Sequence, residues 1–270
     1  MTVWNRIDRG TGRPLVLLHG GGSSARCWLP VIDLLAAHRR VIALDFPGFG
    51  RTPAITDRPF SMDLAMRVLA EELDRLGIGT PVDIAGNSMG GWMALEAAKR
   101  GMASSVVAIG PAGLWAHGMP RLTRLQFRTG LVGAPLVHTP ARALLRYPVV
   151  RAVALGIPVA NPRGLSTDDA VGIVEDIHRS APTLRRALTV AYHSRFEGGQ
   201  QISVPITLAF GARDHMVRVR DSRFLDQLPA HTRQVVLPGC GHMPMWDDPA
   251  LIARTILDGI TVASVDEVSA

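Results

Sequence analysis

Lysine is nearly missing from this chain of 270 residues: Lys99 is the only one among 29 lysines and arginines. Cysteine is scarce too. Cys27 and Cys240 form neither a disulfide framework nor the paired spacing of a metal site, so they read as two reduced thiols. No metal or cofactor is expected. Long apolar runs are lacking. None approaches the ~18 residues that suggest a membrane span, and the longest, Val106–Leu114 and Val149–Ala160, are short or broken by Gly, Pro and Arg. The opening Met1–Arg6 has no apolar core of a secretory signal, which makes the cytoplasm the expected location. Aromatic residues are only 5% of the chain. The arginines are not interleaved with them, as a nucleic-acid-binding face would require.

Apolar side chains are plentiful, at 47%, and 27 glycines punctuate them. This length suits one large α/β domain, or such a core carrying an insertion. The net charge of +6 is localised. Between Gly113 and Gln200 stand eleven arginines against five acids (Asp168, Asp169, Glu175, Asp176, Glu197), which equals the whole excess. They are scattered at helical spacing. A small anionic substrate drawn to a basic lid uses this charge better than nucleic acid does.

Short, wholly apolar runs suit strands buried on both faces of a parallel sheet. Leu15–Leu18, Val41–Leu44 and Val106–Ile109 are such runs, and Val82–Ala85, Ile206–Gly211 and Gln234–Leu237 read as strands with one polar residue each. Helices are predicted near Cys27–His38, from an N-cap at Ser61 to Leu76 before Gly77, at Gly90–Arg100, near Asp221–Leu228 and near Pro249–Ile260, with a frayed tail after Thr261. The alternation implies a parallel sheet covered on both faces. It breaks from Leu114 to Gly199, where the pattern is helical throughout. Pro120 and Pro140 stand at helix starts, Ser166 with Asp169 resembles a capping box, and Pro182 opens a further segment. The predicted organisation is a core over 1–113 and 200–270 with a helical cap over 114–199.

The chemistry gathers at Gly86-Asn87-Ser88-Met89-Gly90-Gly91. A sharp strand-to-helix turn puts Ser88 at its tip, and glycines on either side give the strained backbone its clearance. A serine hydroxyl needs a base and a group that orients the base. Asp214 follows the strand ending at Gly211, and His242 follows the strand ending at Leu237. In a parallel sheet those ends share one edge with the elbow. His215, Asp247 and Asp248 lie further along their loops, and Asp45 precedes the elbow in a turn, where it reads as structural. The amides of Met89 and, in the loop His19-Gly20-Gly21-Gly22, of Gly21 are the candidate oxyanion donors.

These pieces, with Asp45-Phe46-Pro47-Gly48-Phe49-Gly50, Gly211-Ala212-Arg213-Asp214 and Gly239-Cys240-Gly241-His242, resemble the α/β-hydrolase superfamily, in its serine-nucleophile branch with a helical cap. The resemblance implies the α/β-hydrolase fold and a Ser88–His242–Asp214 triad acting on a small-molecule ester or related carbonyl compound. Ser88 stands where haloalkane dehalogenases and epoxide hydrolases have aspartate. Asn87 and Gly110-Pro111-Ala112-Gly113-Leu114 are similar to the meta-cleavage-product C–C hydrolases, but Met243 stands where those carry an aromatic, and no arginine for their substrate carboxylate is legible. Perhydrolases, acyltransferases and hydroxynitrile lyases share the same residues. A non-hydrolytic ligand-binding protein on this scaffold is the reading from another class. A homodimer is left open. Leu125, Phe127 and Leu131 are candidates to line an acyl pocket and suit the core of the lid equally well.

Overall fold

The structure, a computed structural model, describes residues 3–138, 140–218, 220 and 224–266. Seven strands form one sheet: β1 (Arg6–Arg9), β2 (Pro14–Leu18), β3 (Arg40–Leu44), β4 (Val82–Asn87), β5 (Ala103–Ile109), β6 (Ile206–Gly211) and β7 (Arg233–Leu237). Their order is β1-β3-β2-β4-β5-β6-β7. Every pairing is parallel except β1 with β3.

Side chains alternate across the sheet with period two, so each apolar run feeds two cores. Val16, Leu18, Ile84 and Val106 face the core built with helices α2 (Met62–Arg75) and α3 (Met89–Lys99). Leu15, Leu17, Ala85 and Val107 face the core built with α1 (Leu29–Ala36) and α8 (Pro249–Asp266). Ser61 caps α2 as its sequence suggests, accepting from Leu64 N at 3.1 Å. Between β5 and β6 lie α4 (Arg121–His138), α5 (Ala141–Leu144), α6 (Pro148–Leu155) and α7 (Thr167–Ala191), and no strand among the described residues.

Four elements differ from the sequence reading. The edge strand β1 has one apolar residue among Arg6-Ile7-Asp8-Arg9 and so carries no apolar signal. Arg40 on β3 fixes it by a two-pronged bond to Asp8, at 3.1 and 2.8 Å. Pro182 opens no segment; α7 runs 25 residues straight through it. The ring sits on an exposed position, where water can satisfy the carbonyl that loses its helical partner. Of the helix expected near Asp221–Leu228, residues 221–223 lie outside the described residues, and the remainder holds a 3₁₀ turn, Leu225–Gln227. Finally, α8 continues past Thr261 to Asp266; residues 267–270 lie outside the described residues.

Candidate active site

Ser88 ends β4 and starts α3 with φ 55°, the only positive φ at a non-glycine position among the described residues. Such a conformation is strained for a residue with a Cβ and persists only where neighbours impose it. Here Ser88 N donates to Ile109 O at 2.9 Å, while its own carbonyl accepts from Trp92 N and Ala112 N. Gly86 and Gly90 make the turn possible. A Cβ on Gly86 would strike the Gly90 carbonyl, and one on Gly90 the Leu18 and His19 carbonyls. Met89 is the first residue of α3, where N–H groups have no carbonyl partner within the helix.

Asp214 and His242, 28 residues apart, meet at the ends of β6 and β7. His242 Nδ1 lies 2.7 Å from Asp214 Oδ2, and both residues are buried. The other carboxylate oxygen accepts from Met216 N and Val217 N, each at 2.8 Å. A carboxylate oxygen accepts, so in this bond Nδ1–H is the donor and Nε2 is turned away from Asp214. Close packing sets the pair in place. A Cβ on Gly211 would strike the Gly241 and Cys240 carbonyls, and one on Gly110 would lie 3.2 Å from Asp214 Oδ2 and 3.3 Å from His242 Nδ1.

Two polar residues do more than their sequence disclosed. Buried Asn87 donates through Nδ2 to His242 O at 2.9 Å and to Ile109 O at 3.1 Å, tying the histidine's backbone to the elbow. Buried His19 lies 2.7 Å from Gly20 O through Nδ1 and accepts from Phe46 N through Nε2 at 3.1 Å. Burial holds its pKa below the ordinary value, in keeping with a neutral ring whose Nδ1–H orients the Gly20–Gly21 peptide. A polar residue just before Ser88 and another just before the glycine run were the available signals, but the partners of Asn87, and Phe46 as the donor to His19, are distant in sequence.

The competing residues take other duties. His215 is exposed, and its carbonyl accepts from Gln126 on α4 at 2.8 Å. Asp248 caps α8 through Leu251 N. Asp45 holds the turn after β3, accepting from Ala25 N, Asn5 Nδ2 and Arg51 N. Asp247 accepts from Gly241 N at 2.8 Å, Asn161 N at 2.9 Å and Ala160 N at 3.2 Å, joining the His242 loop to the segment after α6. Met243 N donates to Pro158 O at 2.7 Å across the same seam. Cys27 and Cys240 are buried free thiols, and burial raises the pKa of both.

Ser88 lies where two cavities meet. The smaller, about 80 Å³, is walled by Trp92, Trp115, Met119, Leu184 and Leu188. The larger, about 320 Å³, holds His242, Asn87, Gln126, Leu131, Ile157 and Ile177. Gly21 borders both, and Met89 Sδ is 3.8 Å from where a Gly21 Cβ would stand. Of the expected lining residues, Phe127 borders both cavities and Leu131 the larger. Leu125 points outward, 54% exposed, because it sits on the opposite side of α4.

A match to the alpha/beta hydrolase family runs from residue 15 to residue 255. The chain belongs to this family. Among its relatives, the epoxide hydrolase EphH of Mycobacterium tuberculosis is 34% identical over 191 residues, 68% of this chain and 88% of that protein. The 2-hydroxy-6-oxo-6-(2'-aminophenyl)hexa-2,4-dienoic acid hydrolase of Metapseudomonas resinovorans is 27% identical over 267 residues, 93% of this chain and 85% of that protein. Among solved structures, a meta-cleavage product hydrolase from Pseudomonas fluorescens superposes with a TM-score of 0.76 at 23% identity, over 97% of this chain and 95% of that one, a likeness of fold. As an alpha/beta hydrolase, the chain has a seven-stranded, mostly parallel sheet flanked by helices.

Proposed function

We infer that this alpha/beta hydrolase is a serine carboxylesterase acting on a small-molecule ester whose bound portion lies against largely apolar walls. The observation that carries this reading is the 2.7 Å bond between Asp214 and His242, with His242 sharing a cavity with Ser88. Ser88 Oγ attacks the carbonyl carbon. His242 Nε2 takes the hydroxyl proton, and Asp214 stabilises the imidazolium through Nδ1–H. The amides of Met89 and Gly21 receive the oxyanion; losing one such donor typically costs ~10²–10³ in rate. The proton passes from His242 to the leaving alkoxide, and water then releases the acyl group. Residues 114–199 act as the cap that encloses both cavities. No helix among the described residues is long and apolar enough to cross a membrane. A cytoplasmic small-molecule enzyme is the setting we favour.

Two rival chemistries meet physical objections. Opening an epoxide with a serine alkoxide would leave an ether, which water does not release, whereas attack on a carbonyl leaves an ester, which it does. C–C hydrolysis of a dienoic acid needs a cation for the substrate's carboxylate. Among the described residues, no lysine or arginine borders either cavity at Ser88. Burying a carboxylate without a partner costs several kcal/mol. A fluorophosphonate probe should label the wild type and leave Ser88→Ala unlabelled; equal labelling of the two ends the mechanism. Turnover of a vinylogous diketone in preference to p-nitrophenyl esters would move the assignment to the C–C hydrolases.

A further inference from the structure

The small apolar cavity at Ser88 shares part of its wall with the surface. Two of its walls, Phe60 and Val190, are also walls of a surface groove bordered by Thr56, Asp57, Arg58 and Arg186. The arrangement follows from the pitch of α7. Leu184, Ala187, Leu188 and Ala191 recur at helical spacing and face the cavity. Arg186, Thr189 and Val190 lie at i, i+3 and i+4 on the adjoining face and border the groove, so Val190 is the seam. Arg58 and Arg186 are both exposed. Asp57 pairs with Arg58 at 3.4 Å, which leaves the groove with one cationic charge in excess.

Among the described residues the cavities at Ser88 have no cation of their own, so an anionic group on a substrate finds no charged partner inside either. Arg58 and Arg186 stand in the groove that shares Phe60 and Val190 with the small cavity. We propose that the substrate is an ester whose acyl chain carries a terminal anion, with the chain in the small cavity and the anion at Arg58 and Arg186. This rests on the esterase reading and adds the chemical class of the acyl group. Leu184 Cδ1 stands 3.1 Å from where a Gly21 Cβ would be, so the α7 wall begins beside the proposed oxyanion loop. From there to Val190 it rises six residues, about 9 Å. An extended chain of about six methylenes covers that distance. A two-methylene chain spans less than half of that distance.

The test compares p-nitrophenyl hydrogen suberate with its neutral counterpart p-nitrophenyl octanoate, and hydrogen succinate with butanoate, at low ionic strength. Wild type should favour suberate over octanoate by on the order of five- to tenfold in kcat/KM, the size two exposed ion pairs supply. The succinate pair should show no such preference. R58Q/R186Q should lose the preference, R58E/R186E should invert it, and added salt should weaken it. A phosphate-ended ester of the same length, run in parallel, separates phosphate recognition from carboxylate recognition. Octanoate turnover without a suberate preference, or a preference unchanged in the folded R58E/R186E variant, overturns the inference while the esterase reading stands. Failure of all four esters together with absent fluorophosphonate labelling overturns both.

Discussion

Glycine is packed to its limit along the carboxyl edge of the sheet and idle in α4. At the edge, a Cβ on Gly86, Gly90, Gly211 or Gly241 would run into backbone atoms; in α4, a Cβ on Gly130 or Gly133 would meet nothing within 4 Å. The difference extends to other residues. The edge buries Asp45, Asn87, Ser88, Asp214 and His242. The segment between β5 and β6 exposes Leu122, Leu125, Val132, Val149 and Val153. One region is over-determined, so that a serine can be held at φ 55°. The other has open space beside its glycines, part of it the larger cavity that Gly130 and Gly133 border. The contrast ranks the substitutions below.

The largest effect should come from Gly90→Ala. The new methyl overlaps the Leu18 and His19 carbonyls, which are backbone atoms of the neighbouring strand and cannot yield. A loss of about 3 kcal/mol and of fluorophosphonate labelling is expected. Wild-type labelling would break the contrast. Asn87→Ala comes next. It strips a donor from two buried carbonyls, at about 1–3 kcal/mol, and frees the histidine loop, so labelling should slow by on the order of tenfold. Asn87→Asp should fall at least as far, since a carboxylate cannot donate to either carbonyl; retention of the wild-type rate by the aspartate variant would remove the tether.

Asp176 sharpens the comparison where the two regions touch. On α7, it accepts from Ser24 Oγ at 2.6 Å, and burial, with Asp45 nearby, pushes its pKa up to about 6. A raised carboxyl pKa means that the folded state binds the proton more tightly than the unfolded state. Its contribution therefore favours folding at low pH and is lost as pH rises from about 4 to about 6. Asp176→Asn should consequently raise the melting temperature above pH 6 by a few degrees and change it little at pH 4. A gain equal at both pH values would show that burial is not the cause. The smallest effect belongs to Gly130→Ala, a gain of about 0.5–1 kcal/mol from helix propensity, with labelling unchanged. A loss would mean that α4 is as tightly packed as the edge.

The same contrast explains what could be read from sequence. Strand ends were legible, because Leu15–Leu18, Val106–Ile109 and Ile206–Gly211 are apolar runs that stop at glycine or histidine, and a parallel sheet brings such ends together. Asp214 and His242 meet as that argument requires. The duties of Asn87, His19 and Asp247 were not legible, since each bonds to a backbone group rather than to a side chain, and backbone carries no signature. Within the helical segment, Leu125 and Phe127 are both apolar and two residues apart. Only the rotation of α4 decides that Phe127 borders the cavities and Leu125 faces water.

Asp247 has a bearing on how this protein can be recombined with its relatives. Its carboxylate grips Ala160 and Asn161 together with Gly241, so the residues just after α6 belong mechanically to the histidine loop rather than to the helices before them. The unit that can be traded is therefore shorter than the stretch between β5 and β6. A chimera exchanging residues 120–157 keeps the join and should retain a reactive serine. One whose exchange also takes residues 158–161 replaces the half of the join that Asp247 holds. An exchange that leaves Asp247 together with residues 158–161 keeps both halves of that join.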